Sequence, residues 1–506
     1  MIENNTLLLG SLVTPLIGAI VALIFAHSDR LQRSIGVLTG LIAWVFSVSL
    51  LVQVHDAGVQ TYALGNWIPP YGIVLVADQL GALFAFMVTT IMIGGLLYTF
   101  RGHDKCMSYP AFIPLFLLME VGLVGAMLTG DLFTLFVFME LMVLASVSLT
   151  AISDDQFGLE AALKYILISS MGTLFLLLGI ASLYASFGTL NMAQIAQILL
   201  TGERPILAAT SSLMLLCAFL LKSAVFPFHF WQPDFHTTAP TPISAMLSSI
   251  VVKVGVYGIL RLVTLLFVKD AHIMEPWLST LGIIGILFGS LGALRTYNAK
   301  RMLAYSTYAQ IGFILVGIGW GGPLALVGAI VYAFNHAFIK SSLLMLMGVV
   351  ASYTPTKSAN FGDISGIGSR LPPAVGWLVL LGGLSLAGVP PFNGFISKLA
   401  LIRGGVESGD WQNLIIMVGA GILTLMYMIR AWQRIFQQSP LPTTVQTKDE
   451  GDSLFAPLLL IVLCLLLGTI FTEPLIQLVS ATVQQIQDPS VYISAVFPEG
   501  PGIMTR

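Results

Sequence analysis

"LLKSAVFPFHFWQPDFHTTAPTPISA" (residues 220–245) begins as an apolar helix and then becomes something lipid tolerates badly. It sets Lys222, His229, Asp234 and His236 among four prolines: Pro227, Pro233, Pro240 and Pro242. Proline stops regular helix and leaves carbonyls without partners. At membrane depth such backbone survives only where it is buried in protein or lines water. The weight of this stretch therefore depends on how deeply the rest of the chain sits in a membrane.

The rest is very apolar. Of 506 residues, 57% are hydrophobic and only 9% charged, and the mean hydropathy is +0.91. A soluble domain carries about 25% charge, so a soluble chain of this composition would have nothing to cover its surface. The composition predicts an all-α polytopic membrane protein of about fourteen transmembrane helices. The apolar segments lie near 7–26, 31–53, 74–100, 111–129, 132–151, 161–187, 206–231, 243–267, 277–296, 302–320, 323–350, 372–404, 412–436 and 453–478. Pro227 interrupts the seventh and Pro390-Pro391 the twelfth, so both read as broken helices. The N-terminus "MIENNTLLLG" carries Glu3 and no Lys or Arg, so 7–26 reads as a retained span and not as a signal peptide.

Several function classes drop out. A net charge of −2 leaves no basic footprint for nucleic acid. Cys106, Cys217 and Cys464 share no CxxC or CxxH spacing, which argues against a disulfide framework, a metal centre or an iron–sulfur cofactor. His229, His236 and Asp234 are too few for a metal set. There is no GxxxxGK[ST] and no strand–GxGxxG–helix, so nothing points to ATP hydrolysis by this chain.

Lys and Arg in short loops set the orientation. With the N-terminus outside, the inside connections hold eleven: Arg30, Arg33, Arg101, Lys105, Arg295, Lys300, Arg301, Lys357, Arg370, Arg434 and Lys448. The outside holds four: Arg204, Lys269, Arg403 and Arg506. The bias predicts both termini outside and an even number of spans. Arg295, Lys300 and Arg301 read as inside anchors. The polar stretch 437–452 reads as a solvated inside loop. Asp78 and Asp131 lie near span ends and read as solvated.

An ionisable group at the membrane centre costs roughly 2.5–3.5 kcal/mol on insertion scales. This chain places eight within its spans: Glu120, Glu140, Lys164, Lys222, Lys253, His336, Lys340 and Lys398. As isolated charges they would cost on the order of 20 kcal/mol, so they must pair, neutralise or line hydrated space. Glu140, deep in "FMELMVLAS", reads as the ion-pair partner of a buried lysine. Burial opposes a lysine's charge and a nearby carboxylate favours it, so Lys222 held between the two can take and release a proton. Lys253 follows one span later. His229 and His236 lie between them and can carry protons.

The second half repeats the theme. "YAFNHAFIKSSLL" puts His336 and Lys340 one helical turn apart, and "GVPPFNGFISK" puts Lys398 after the second break. A lysine-bearing span followed by a broken, lysine-bearing span thus occurs at spans 6–7 and again at 11–12. The interval of five spans is odd, so equivalent helices would point opposite ways, as in inverted repeats with sites near the midplane.

These stretches carry a resemblance. "KSAVFPFHFWQPDFHTTAPTPISAMLSSIVVKVGVYGILR", "FMELMVLAS", "EAALKYILI", "AKRMLAYSTYAQIGF", "NHAFIKSSLLM" and "SLAGVPPFNGFISK" resemble the antiporter-like membrane subunits of respiratory complex I, membrane-bound hydrogenases and Mrp-type cation/proton antiporters. The likeness runs from about 75 to 435. It implies fourteen spans and two inverted five-helix repeats, with spans 1–3 at 1–110, the first repeat at 111–267, the second at 277–436, and a last span and outside tail at 453–506. It also implies a proton relay through Glu140, Lys222, Lys253, His336, Lys340 and Lys398; Lys164, His229, His236, Asp234 and Glu120, read from their own chemistry, stand beside it as accessory positions.

Within the family, Lys398 stands where the complex I subunit of similar length usually has glutamate, and the chain stops soon after span 14. The "GVPPFNGFISKLALI" context and the ending "DPSVYISAVF" look like the D-type component of Mrp Na+/H+ antiporters. That implies other membrane subunits as partners in a cell membrane, exchange of protons against Na+, and no cofactor of its own. The alternative reading is a proton-pumping subunit of a complex I-type or hydrogenase-type assembly.

Overall fold

The computed structural model describes residues 5–153, 155–202, 205–355, 357–439 and 451–498. Arg204, Lys448, Arg506, Glu3 and most of the stretch read as an inside loop lie outside the described residues.

Helices α1 (Thr6–Ile24) and α2 (Asp29–Ala57) lead into a small antiparallel hairpin, β1 (Gln60–Ala63) with β2 (Val74–Ala77). Then come α3 (Gln79–Phe100), α4 (Phe112–Leu128), α5 (Leu132–Ala151), α6 (Gln156–Phe187), the short α7 (Met192–Thr201), α8 (Ile206–Lys222) and α9 (Gln232–Thr238). One continuous helix α10 (Thr241–Leu266) follows, with α11 (Ala271–Arg295), α12 (Ala299–Gly319) and α13 (Pro323–Ser352). The chain ends with α14 (Pro373–Ala387), α15 (Asn393–Ser408), α16 (Trp411–Phe436), α17 (Phe455–Gly468), α18 (Thr472–Ile486) and α19 (Pro489–Val496).

Each of the fourteen apolar segments contains helix. Among the described residues ten helices are long and apolar enough to cross a membrane, and the pair α17–α18, bent by 78°, makes an eleventh. The remaining segments are shorter apolar helices: α4, α8 and α14. The last two are short because their spans break. The bend within the fourteenth span lies between Gly468 and Thr472, with Pro474 in the first turn of the helix beyond it, although hydropathy alone reads 453–478 as one span. The third span also starts later than its hydropathy suggests. Residues 74–77 are strand, and Asp78 caps α3 by accepting from the Gly81 amide at 2.8 Å. Asp131, Asn298 and Asp410 cap α5, α12 and α16 in the same way. A first-turn amide has no partner inside its own helix, and a short acidic or amide side chain supplies one.

Burial orders the bundle. Helices α3, α10, α12 and α13 form the interior, while α1, α2, α6, α11 and α16 turn apolar faces outward. Lipid accepts apolar surface, so the polar residues collect inside, on α10, α12 and α13, where neighbouring helices can satisfy them.

The two broken spans end their first halves alike. At the end of α8 the Val225 amide reaches the Leu220 carbonyl (3.0 Å) and the Ala224 amide the Leu221 carbonyl (3.1 Å). At the end of α14 Val389 reaches Leu384 (3.0 Å) and Gly388 reaches Ser385 (3.1 Å). Each is a Schellman turn, with Ala224 (φ 52°) or Gly388 (φ 84°) in the left-handed position. Proline follows within three residues, so neither helix can resume in line. Beyond the second break, Gly394 comes so near α14 that a Cβ there would collide with the Ser385 carbonyl oxygen.

Candidate functional site

Lys222 is the last residue of α8, held at its break. Its amine donates to the Ser169 hydroxyl at 2.7 Å and the Thr173 hydroxyl at 3.2 Å, both on α6, and to Glu140 Oε1 on α5 at 3.4 Å. The Thr173 hydroxyl also donates to Glu140. The Lys222 side chain is buried; that of Glu140 is 27% exposed, at the edge of the chain. Lys222 therefore sits among three acceptors, only one of them charged. Ser169 and Thr173 escaped the sequence reading because hydroxyl residues are ordinary in membrane helices. Their i, i+4 spacing on one face was the signal available.

Lys253 follows a π-turn at Leu247–Val251. The wider turn brings the Ser248 carbonyl under the side chain, and the amine donates to it at 2.8 Å. The hydroxyl of the same Ser248 starts a series of hydrogen bonds across three helices. The Ser248 hydroxyl lies 2.6 Å from that of Thr307 on α12, and Thr307 donates to the Leu303 carbonyl at 3.0 Å. Lys340 on α13 donates to that same carbonyl at 2.6 Å and to the Ser306 hydroxyl. Lys253 and Lys340 are fully buried, and neither has a carboxylate within ion-pair distance among the described residues. His336, one turn before Lys340, is buried with no hydrogen-bond partner on either ring nitrogen among the described residues, beside the Tyr332 ring at 6.4 Å. Among the described residues no hydrogen bond joins Lys222 to Lys253.

Lys398 on α15 donates to the Ala387 carbonyl at 2.5 Å. That carbonyl closes α14, where unpaired acceptors and the negative end of the helix dipole favour a cation. The amine lies 5.6 Å from the centre of the Phe313 ring and lines a largely apolar cavity of about 280 Å3 between α15 and α16. Asn335, next to His336, ties this break to α13. It donates to the Ser397 hydroxyl at 2.9 Å and accepts from the Asn393 amide at 3.2 Å, while Ser385 donates to Asn393 at 2.9 Å. Lys222 and Lys398 are not placed alike. The first precedes its break and the second follows it.

The accessory residues differ more from their sequence reading. Asp234 bridges Lys164 (2.8 Å) and Arg301 (2.8 Å), and Lys164 also pairs with Glu160 at 2.6 Å. All are partly exposed, so Lys164 is a paired rim residue and not an isolated charge in lipid. Arg301 is drawn in by Asp234. Lys300 is buried beside Thr241 (3.3 Å), and so neither is a simple solvated anchor. With Asp104, Lys357 and Asp452 they line a polar cavity of about 680 Å3. In the loop before α4, burial alone would raise the Asp104 carboxyl, but its hydrogen bond to Lys357 and that cation's charge hold it below the usual range. His236 is buried against the Ser244 hydroxyl at 2.8 Å. His229 does not face Lys222; its ring sits among Phe226, Phe288 and Tyr308 at 4.5–5.4 Å.

Asp78 overturns its reading as a solvated residue. It is buried in a two-pronged pair with Arg261 (2.6 and 2.5 Å), which also donates to the Tyr257 hydroxyl at 2.9 Å. A guanidinium fork matches a carboxylate in this way and makes burial of both charges tolerable. Arg261 escaped notice because it lies near the end of its span, where a snorkelling arginine is unremarkable. Glu120, on α4, is fully buried, and both its carboxyl oxygens lack a hydrogen-bond partner among the described residues.

Residues 129–424 match the family described as NADH:quinone oxidoreductase/Mrp antiporter, transmembrane. The chain is 32% identical over 499 residues to the D component of the Na(+)/H(+) antiporter of Alkalihalophilus pseudofirmus, covering 98% of this chain and 100% of that protein. It is 35% identical over 387 residues to the N component of the NADH-quinone oxidoreductase of Desulforudis audaxviator, covering 74% and 75%. A chain of the Mrp complex from Dietzia sp. DQ12-45-1b superposes with a TM-score of 0.87 at 27% identity, over 97% of this chain and 99% of that one.

Proposed function

Since this chain belongs to the NADH:quinone oxidoreductase/Mrp antiporter transmembrane family, we propose that it is the D-type, proton-translocating subunit of a multisubunit Na+/H+ antiporter. The end-to-end likeness to the D component of such an antiporter supports this over the complex I-type alternative, whose N-type relative covers three quarters of the chain. The reading places the chain in the cell membrane with both termini outside, among other membrane subunits. It makes the chain a transporter subunit and not an enzyme in its own right.

One observation carries the mechanism: a series of hydrogen bonds ties Lys253 to Lys340, from the carbonyl and the hydroxyl of Ser248 through Thr307 to the Leu303 carbonyl that Thr307 and Lys340 share. Carbonyls only accept, so the series holds the two amines near each other and couples their charges without itself being a proton wire. Two buried amines without counter-ions are costly when charged. A charge gained on one raises the cost of charging the other, since Coulomb repulsion is strong in a low dielectric. Glu140 and Lys222 form the switchable end of the first half. When Glu140 takes a proton or moves, the charge on Lys222 loses its support and its proton can pass on toward Lys253. Across the axis, Lys340 and His336 receive it, and Lys398 at the second break is the far terminus. The matched Schellman turns before each break support reading residues 111–267 and 277–436 as inverted counterparts.

The test is Lys253→Ala in the intact complex, assayed for Na+-dependent proton exchange in everted vesicles. Exchange at the wild-type rate, with assembly confirmed on a native gel, would remove Lys253 from the path and with it the relay.

A further inference from the structure

Glu120 is the only acidic residue on α4, and the relay as drawn leaves it without a task. Ile113, Phe116, Glu120, Val124 and Met127 recur at three and four residues, so they share one face of α4. Two contacts locate the surface that this face meets. A Cβ added to Gly95 of α3 would touch both the Phe116 ring (2.6 Å) and the Met246 methyl group (3.2 Å), so Phe116 lies beside Met246 of α10. At the other end, the Tyr257 hydroxyl of α10 donates to the Met127 carbonyl at 2.6 Å.

Phe116 to Met127 and Met246 to Tyr257 are equal steps along the two chains, so α4 and α10 run side by side in the same direction. Past the π-turn, Lys253 lies one regular turn before Tyr257 and so shares the side of α10 that meets α4, while Glu120 lies two turns before Met127. Glu120 and Lys253 are three residues out of step, about 4.5 Å along the axis at 1.5 Å per residue. A helical side chain leans toward the N-terminus of its helix. Lys253 does so here, reaching back to Ser248, which brings its amine toward the level of Glu120.

Each group lacks what the other offers. Among the described residues, Glu120 has two acceptor oxygens with no donor, and Lys253 has one neutral carbonyl as its acceptor. We propose that Glu120 is a proton-carrying partner of Lys253, reached when the Lys253 side chain swings from the Ser248 carbonyl toward α4. The O–H bond of the Glu120 acid breaks and an N–H bond forms on a neutral Lys253 amine, leaving a carboxylate–ammonium pair. Return of the proton to Glu120 restores the neutral pair. Lys253 then has two partners, the Ser248–Thr307 chain toward α13 and Glu120 toward α4. The proposal rests on the relay reading and gives it a branch.

The experiment compares Glu120→Gln, Glu120→Asp, Lys253→Met and the double variant Glu120→Gln/Lys253→Met in the assembled complex. Glu120→Gln is expected to lower exchange by about 10-fold or more, the usual scale of a lost acid–base group, with normal assembly on a native gel. Glu120→Asp keeps the carboxyl and should retain measurable exchange. The double variant should be no slower than Lys253→Met alone, because both act on one transfer. A second readout does not depend on transport. The infrared carbonyl band of a protonated carboxylic acid should vanish in Glu120→Gln and shift in Lys253→Met. Near-normal exchange in Glu120→Gln overturns the proposal, as do multiplying losses in the double variant or a band indifferent to Lys253→Met. Full exchange in Lys253→Met overturns the relay itself, which separates the two failures.

Discussion

The hydroxyls of Ser248 and Thr307 lie 2.6 Å apart, and this contact joins two lysines that belong to different halves of the chain. Ser248 holds Lys253 through its carbonyl, and Thr307 shares the Leu303 carbonyl with Lys340. Hydroxyl groups suit such a junction because each can donate and accept. Thr307→Val keeps the shape and removes the hydroxyl. It should lower Na+-dependent proton exchange by about 10-fold or more, while Thr307→Ser should keep most of it. Equal exchange in both variants would mean that this contact does not couple the two lysines.

Ala224 does at the first break what Gly388 does at the second, with a Cβ that glycine lacks. A left-handed residue other than glycine is held at a cost of about 1–2 kcal/mol. Ala224→Gly should therefore leave the break in place and raise thermal stability, with about 1 kcal/mol as the gain once the extra freedom of the unfolded glycine is counted. Thermal unfolding of the purified complex, followed by intrinsic fluorescence, reads the shift. A lower melting temperature would mean that the Ala224 methyl group packs better than the backbone strains.

Asp78 and Arg261 tie the start of α3 to the last turns of α10. Removing one partner leaves a buried charge alone, a loss of about 3–5 kcal/mol. Asp78→Asn should reduce the amount of assembled complex and its melting temperature. Arg261→Lys should not rescue the fold, because an ammonium cannot reproduce the two-pronged contact. A complex of normal yield and stability carrying Asp78→Asn would show the pair to be dispensable.

Cys106 offers a pH-dependent test outside the membrane. Burial first, then the charge and hydrogen bond of Asp104, push its thiol up to about 11 from an ordinary value of 9.0. Only the thiolate reacts with maleimide, so at neutral pH Cys106 should label about a hundredfold more slowly than a free cysteine. The rate should rise with pH until the medium passes that value. Asp104→Asn removes the nearby negative charge, stabilises the thiolate and should speed labelling at neutral pH. Site-resolved mass spectrometry measures it, and a rate that levels off near pH 9 would contradict the raised value.

Much of the molecule was legible in the residue order because lipid makes the pattern coarse. An apolar run of about 20 residues can satisfy its backbone only as a helix, so the spans show as hydropathy. Glu140, Lys222, Lys253, His336, Lys340 and Lys398 stand out for the same reason, since a charge amid apolar residues is expensive. Pro227 and the pair Pro390-Pro391 marked two of the broken helices.

The bend at Gly468–Thr472 did not show, because Gly468 and Pro474 flank it inside one continuous apolar run. Ser169, Thr173, Ser248 and Thr307 did not show either, because a hydroxyl in a membrane helix normally bonds to its own backbone. What distinguishes these four is a partner on another helix. The same holds for Asp78, whose solvated appearance ended when the fold brought Arg261 to it across 183 residues of chain.

The sequence by itself determined an all-helical membrane chain, its spans, two of its interruptions and the charged residues that lipid cannot leave alone. Tertiary structure decided which of those charges meet. It paired Lys222 with Glu140 and drew Lys164 and Arg301 to Asp234. It packed His229 among aromatic rings and linked Lys253 to Lys340 through two hydroxyls and two carbonyls. The physical reason is range. Transfer cost acts on each residue where it stands in the chain, whereas a hydrogen bond or ion pair forms only within about 3–4 Å, and which groups come that close is set by how the helices pack.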